Sequence, residues 1–474
     1  MGFSEDSPMR HPRKGYLYPF GGLLPLSFLM EGAMATKYIT EKTSPLFESS
    51  TGNKRKMILI YGDEVKTMES KVNKRIESEF RGRKGFISEN HLGNTPALEI
   101  YFIDVGQGDS TFIVTPKRKK ILIDGGLGNR AFGFLSWKYM LEKGGPPINI
   151  DLLVLSHADK DHIEGLIPII KHPKINVKRI IHNGIAVFKK QSFKTILGNL
   201  DSKGNYLITR HSNLTDLRGL PLDSRFESWR QAIAAAEASY TAIDSSLGIL
   251  DIGEREIKID ILGPRLDTCG GKPAYKWFGG EAPTINGHSV VIRLTYKGVS
   301  VFFSGDINIK GSENLLQDPS IIAKLDAHVF KAPHHGSNDF HKFFLKAINP
   351  QLSIISSGDE PDHGHPRAAF IGAIGHMSRS NEPLLFSTEI AASFVEEKSA
   401  ERKHEIPTPE EELASLDVTK PEAAASARVR FKRRLHGMIN VRTDGYNLFA
   451  ARRVASGYWW ESYGPIAPSP GSWG

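Results

Sequence analysis

A mixed α+β fold organised around a metal site is the architecture this sequence predicts, on three observations. Short apolar runs recur as strands between helical segments, several of those strands stop at a histidine or an aspartate, and residues 156–165 gather His157, Asp159, Asp161 and His162 in one loop. At 474 residues, 40% hydrophobic and 24% charged, the chain can bury a large core and divide into more than one domain. Its single cysteine, Cys269, excludes an internal disulfide framework and a cysteine-rich zinc ribbon, so a metal must be held by histidine and carboxylate.

Residues 1–53 are polar and rich in Gly, Pro and Ser, which predicts a flexible segment. The apolar island at 16–30 is broken by Pro19, Gly21, Gly22 and Pro25 and does not read as a membrane span. Residues 10–35 weakly resemble a secretory leader, but the internal prolines, Glu31 and the cysteine-poor body point to a cytoplasmic protein. In residues 54–93, a strand at 57–61, the Gly62-Asp63 turn, a strand at 75–80 and a last one at 83–87 resemble the small Src-homology-type β-barrels of bacteria. Such a barrel would serve targeting or a protein partner; the alternative is an N-terminal extension of the main sheet.

The main domain is expected over residues 97–392. The strand at 98–105 leads into Gly106-Gln107-Gly108-Asp109-Ser110, and a second at 111–115 turns through 116–120 into Ile121-Leu122-Ile123-Asp124-Gly125-Gly126. Strands that end in an aspartate and glycines suit loops lining a cleft. The apolar run 151–155 then delivers Ser156 to Gly165. His157 and Asp159 lie two apart and can share a side, while the adjacent Asp161 and His162 diverge, so one loop can feed two ions. The competing reading is a polar helix entry with Asp159 or Asp161 as N-cap.

Further on, a strand at 178–182, an Ala-rich helix at 228–240 and a strand at 257–262 flank a polar stretch, 189–225, expected to be an inserted mobile loop. Asn286-Gly287-His288-Ser289 opens a hairpin whose second strand ends in Ser304-Gly305-Asp306. Pro333-His334-His335-Gly336-Ser337 follows the next strand, and Gly364-His365-Pro366 follows the one after. One histidine at a strand end means little, but recurrence at equivalent places points to a shared site. Residues 393–427 read as a linker or flexible insertion, and 428–474 as a basic β-hairpin with a Thr443-Asp444-Gly445-Tyr446 turn and a tail. Arg428, Arg430, Arg433, Arg442, Arg452 and Arg453 are dense enough to neutralise a polyanion, or else form a solvated face.

These motifs, in this order across residues 98–386, resemble those of the metallo-β-lactamase-fold hydrolases, and within them the metallohydrolase domain of the DNA-uptake protein ComEC and its free-standing relatives. The resemblance implies a four-layer αββα sandwich with the active site along one edge of two sheets. It implies that His157 and Asp159 bind a first metal, Asp161 and His162 a second, that Asp306 bridges them, and that His335, with His334 as competitor, completes a ligand set. His365 would serve the leaving group, and Asp109 would order the loops around the catalytic Asp161. The chain departs from the wider pattern at Asp159, where histidine is commoner, and at Asn286 to Ser289, where Gly-His-Thr is commoner. His288 is the candidate for the third ligand of the first metal. A carboxylate at Asp159 hardens that site, which suits manganese while imidazole still accommodates zinc, so two divalent ions, Zn²⁺ or Mn²⁺, are expected.

The function expected from this resemblance and the basic C-terminal stretch is metal-dependent phosphodiester hydrolysis, a nuclease acting on DNA. Hydrolysis of a small ester, lactone, thioester or phosphocholine substrate is the alternative, because fold alone does not choose among them. A binding or regulatory protein with a structural metal cluster is the alternative from outside catalysis.

Overall fold

The structure, a computed structural model, describes residues 34–358, 364–389, 437–453 and 460–469. The leader-like segment up to residue 33, the 393–427 linker and Arg428 to Arg434 lie outside the described residues.

The first unit is a seven-stranded antiparallel sheet, in the order Arg55–Ile60, Thr43–Phe47, Arg83–Ser88, Arg75–Phe80, Glu64–Val72, Ala35–Ile39, Leu92–Gly93. It closes on its own small core of Ile39, Leu46, Leu59, Val65 and Ile87 and does not extend the main sheet. Two of its strands, Ala35–Ile39 and Thr43–Phe47, fall in the stretch expected to be flexible up to residue 53. Only Ser44 and Leu46 of Thr43–Phe47 turn inward, so a period of two carried by a serine and one leucine was masked by polar neighbours.

The main body is two sheets packed face to face. The first has nine strands, in the order Ser239–Ala242, Arg179–His182, Leu152–Leu155, Lys120–Ile123, Thr111–Val114, Leu98–Phe102, Ile439–Thr443, Leu448–Arg453, Trp460–Ile466. The second has six: Ile257–Gly263, Val291–Tyr296, Val299–Phe303, Val329–Lys331, Leu352–Ile355, Leu384–Ser387. Ile100, Phe102, Ile113 and Val154 of one sheet meet Ile259, Leu294, Val301 and Ile354 of the other in a shared core. Helices Arg130–Tyr139, Leu166–Lys171 and Ser224–Ala236 cover the outer face of the first sheet, and Ile309–Leu315, Lys342–Ile348 and Ala368–His376 that of the second. This is an αββα sandwich. Both faces of this sheet are covered, which is why Leu98–Phe102 and Leu152–Leu155 are buried at every position, Glu99 included.

Three expectations are corrected here. The C-terminal hairpin is not an appendage: Ile439–Thr443 pairs antiparallel with Leu98–Phe102, Ile439 opposite Phe102 and Thr443 opposite Leu98, so the sandwich domain does not end at residue 392. Arg442 on that strand is therefore no polyanion contact. It is buried, bonded to the Asp63 carboxylate at 2.9 Å, the Tyr61 carbonyl at 2.9 Å and the Tyr101 hydroxyl at 3.0 Å, while Arg452 pairs with Glu461. Thirdly, the 189–225 stretch is anchored by Leu197, Leu207, Leu217 and Leu222 in the core under the first sheet's helices. The helix after it runs Ser224–Ala236, starting where the Asp223 side chain accepts from the Phe226 amide and stopping at Glu237, whose φ is +53°.

Candidate metal centre

The site forms where strand ends from both sheets meet. Leu152–Leu155 ends in Ser156 and His157, and Asp159, in extended conformation, starts the short helix Lys160–Ile163. Asp159 makes no capping hydrogen bond, which removes the N-cap explanation of this loop. From the second sheet, Asp306 follows Val299–Phe303 and His335 follows Val329–Lys331. Two glycines let these loops touch. A Cβ on Gly108 would lie 2.1 Å from the Asp161 carbonyl oxygen, and one on Gly305 would lie 2.8 Å from Ser289 Cβ. Both also have positive φ.

Ligand atoms of His157, His162 and Asp306 lie within 4.8 Å of one another, and so do those of Asp161, His162 and His335, and of Asp109, Asp306 and His335. Asp306 Oδ2 stands 3.3 Å from His162 Nε2 and 3.2 Å from His335 Nε2, and Asp161 Oδ2 is 3.2 Å from His335 Nε2. Asp159 Oδ2 is 3.6 Å from His157 Nε2, on the more open side.

The Nε2 atoms of His157, His162 and His335 and Oδ1 of Asp306 are buried without a hydrogen-bond partner. Their far sides are tied. His162 Nδ1 donates to Asp124 Oδ2 at 2.9 Å, His335 Nδ1 donates to the Ser356 carbonyl at 3.0 Å, and His157 Nδ1 lies 3.0 Å from Ser156 Oγ. Fixing the proton on Nδ1 leaves the Nε2 lone pair aimed inward, as metal-ligating histidines require. Unpartnered buried acceptors are costly, so a set of imidazole and carboxylate atoms converging from three loops fits divalent cations.

Charge gives the same answer. Burial alone would lower the His162 and His335 pKa values, but the Asp306 carboxylate, with Asp124 and Asp161 around His162 and Asp109 beside His335, outweighs it and raises both well above the usual range. Burial would likewise raise Asp306, and the two imidazolium charges hold it well below. The pocket thus demands positive charge, which divalent cations would supply in place of these protons.

The structure brings His157, Asp159, Asp161, His162, Asp306, His335 and Asp109 together. It does not bring in His288. That ring stacks on Phe278 with centroids 4.7 Å apart, its Nε2 donates to the Lys276 carbonyl at 2.9 Å, and burial takes its pKa down to about 4. The next residue faces the centre instead: Ser289 Oγ accepts from the Asp306 amide at 3.1 Å and lies 3.5 Å from His157 Nδ1. Side-chain alternation at the strand entry decides between the two. His334 stands outside the ligand groups, edge-on to His365 at 5.8 Å between ring centroids, and His365 is buried 6.2 Å from the His335 ring.

Sequence reasoning missed three residues. Asp124 accepts from the Ser156 amide at 2.7 Å and from Ser156 Oγ at 2.6 Å as well as from His162. Its φ of +57° puts it at the abrupt end of Lys120–Ile123, and the Asp-Gly-Gly turn was the available signal. Ser156 sits between Asp124 and His157. Lys331, buried on the Val329–Lys331 strand, pairs with Asp109 and balances a carboxylate that also faces His335. A lysine ending an otherwise apolar run was its signal.

The family model for the metallo-beta-lactamase superfamily matches residues 103–358. The chain is 25% identical over 286 residues to ComE operon protein 3 of Bacillus subtilis (strain 168), covering 56% of this chain and 29% of that protein. It is 34% identical over 110 residues to competence protein ComA of Neisseria gonorrhoeae, covering 23% of this chain and 15% of that protein. Among solved structures it is similar to CmlA, a diiron beta-hydroxylase from Streptomyces venezuelae, at 12% identity and a TM-score of 0.32, over 62% of this chain and 54% of that one. The chain thus spans less than a third of the length of each of these two relatives. Among the described residues no helix is long and apolar enough to cross a membrane. With the αββα layers and the histidine–aspartate cluster at their edge, the family match places the chain in the metallo-beta-lactamase superfamily of hydrolases.

Proposed function

We propose that this protein is a metal-dependent phosphodiesterase, a nuclease acting on DNA, that works with two divalent ions, zinc or manganese. The convergence of the unpartnered Nε2 atoms of His157, His162 and His335 on Asp306 carries the reading. Asp159 and His157 would hold one ion, Asp161, His162 and His335 the other, and Asp306 both. When bound, such a pair of ions supplies hydroxide at neutral pH and charge stabilisation for the phosphate oxygens. Asp124 and the Ser356 carbonyl keep His162 and His335 in the ligating tautomer, and Lys331 holds Asp109 against the back of His335. His365, buried beside His335 with ring centroids 6.2 Å apart, is the residue to pass a proton to the leaving oxygen. DNA is favoured as substrate by the likeness to competence-related relatives.

The test is incubation of metal-stripped protein with single- and double-stranded DNA after adding manganese or zinc, beside an Asp161→Ala control. Metal-dependent cutting lost in the control is the expected result. Equal cutting by both, or a preference for small chromogenic esters over DNA, would overturn it.

A further inference from the structure

Away from the metal centre, a cavity of about 860 Å³ opens where the N-terminal sheet, helix Arg130–Tyr139 and the C-terminal strands meet. It shares no residue with the metal cluster. Eight cationic and five acidic residues line it. Three of the acids are already engaged: Arg118 pairs with Glu64 at 2.8 Å and Glu99 at 2.9 Å, Lys138 with Glu99 at 3.0 Å, and Arg442 with Asp63 at 2.9 Å. Leaving Arg83 aside, the lining outside that network, among the described residues, is Lys66, Arg81, Lys143 and Arg453 against Glu79 and Glu142, a surplus of positive charge.

The same wall is aromatic. Trp137 is 38% exposed, with the Arg81 guanidinium 3.5 Å from its ring centroid and that of Arg453 at 5.5 Å. Phe80, Phe132, Tyr139 and Trp460 complete it. Two donors in this lining, Arg81 Nε and the Tyr139 hydroxyl, are buried without a hydrogen-bond partner. Such groups are expensive unless something accepts from them.

We infer that this cavity binds a nucleotide unit, its base stacked on the aromatic wall and its phosphate on the arginines. Guanidinium forks match phosphate oxygens, and indole and phenol rings take any base face. Inorganic phosphate would leave the aromatic wall unused, and an apolar ligand would leave the surplus cations uncompensated. The volume falls within the range of about 300–1,000 Å³ typical of small-molecule sites. The nucleotide comes either free or as part of a single strand, and only the second source rests on the DNA reading proposed above.

The experiment uses the full chain in EDTA, so that neither metal binding nor cleavage enters. Anisotropy of a short fluorescein-labelled oligothymidylate and calorimetry with thymidine monophosphate measure binding. Trp137→Leu, Arg81→Gln and Arg453→Glu should each weaken it about fivefold or more. Monophosphate that binds and competes with the oligomer identifies a free-nucleotide site; binding of the oligomer alone identifies a strand site. No binding of either probe, competition by inorganic phosphate equal to that by the monophosphate, or affinity unmoved in the variants overturns the inference. Should Trp137→Leu fail to fold, Arg453→Glu, on a half-buried side chain, decides. Loss of cleavage with this binding intact would count against the nuclease reading alone.

Discussion

Asp124→Asn isolates the orientation of the metal ligands from their identity. Asp124 holds His162 Nδ1 from behind at 2.9 Å and Ser156 at 2.6 and 2.7 Å. Asparagine tolerates the left-handed backbone at φ +57°, so the substitution adds no conformational strain. Its carbonyl can still accept from the Ser156 amide. Its NH₂ group, however, would face His162 Nδ1–H, and two donors in a buried site repel. The ring must then shift its proton to Nε2, which blocks the lone pair aimed at the centre, or turn away. Loss of such a partner behind a ligand typically costs 10- to 100-fold in metal affinity, about 1.4 to 2.7 kcal/mol. Competition with a chromophoric chelator, titrating zinc into stripped wild-type and variant protein, measures it directly. A dissociation constant within about twofold of wild type would refute the claim that Asp124 sets the His162 tautomer.

Four further outcomes are expected. Asp159→His should shift metal preference toward zinc, because the Asp159 carboxylate stands 3.6 Å from His157 Nε2 and imidazole is a softer donor than carboxylate; parallel zinc and manganese titrations check it. His288→Gln should leave the number of bound ions unchanged by elemental analysis, since that ring serves the Lys276 carbonyl and the Phe278 stack. Arg442→Met should destabilise by about 3 to 5 kcal/mol in denaturant melts, because it strands the buried Asp63 carboxylate beneath the N-terminal sheet. Glu99 should contribute to acid lability. Burial would raise its pKa, but Lys138, Arg442, Arg118 and the Tyr101 hydroxyl hold it well below the usual carboxylate range. A depressed folded pKa means stability present above about pH 4.5 and lost as pH falls below it, and Glu99→Gln should flatten that part of the stability profile.

The opening loop of the centre was legible because its chemistry is local. His157, Asp159, Asp161 and His162 lie on adjacent positions after one apolar strand, and no tertiary information is needed to see that they share a site. The doubly buried strand Leu152–Leu155 was legible for a similar reason: four consecutive apolar residues state their own burial.

What depended on which way a single residue faces was not. His288 and Ser289 are neighbours, and entry into the Val291–Tyr296 strand sends the histidine into an aromatic wall and the serine toward Asp306. Hydrophobic pattern around both is alike, so only the register of Val291–Tyr296 against Val299–Phe303 separates them.

The sequence by itself determined the ligand chemistry, histidine and carboxylate without thiolate, and the layered α+β class. The tertiary structure alone decided that Asp124 and Lys331 stand behind the ligands, and that the Ile439–Thr443 strand completes the first sheet more than three hundred residues after its partner Leu98–Phe102. It also decided that Arg442, read either as a phosphate contact or as part of a solvated face, is a buried cation under the N-terminal sheet. The physical reason is one and the same. Local pattern reports how a residue alternates and what its side chain can do, but pairing between distant strands decides which groups meet, and a charge changes its role from solvated surface to structural clamp once a partner carboxylate is buried against it.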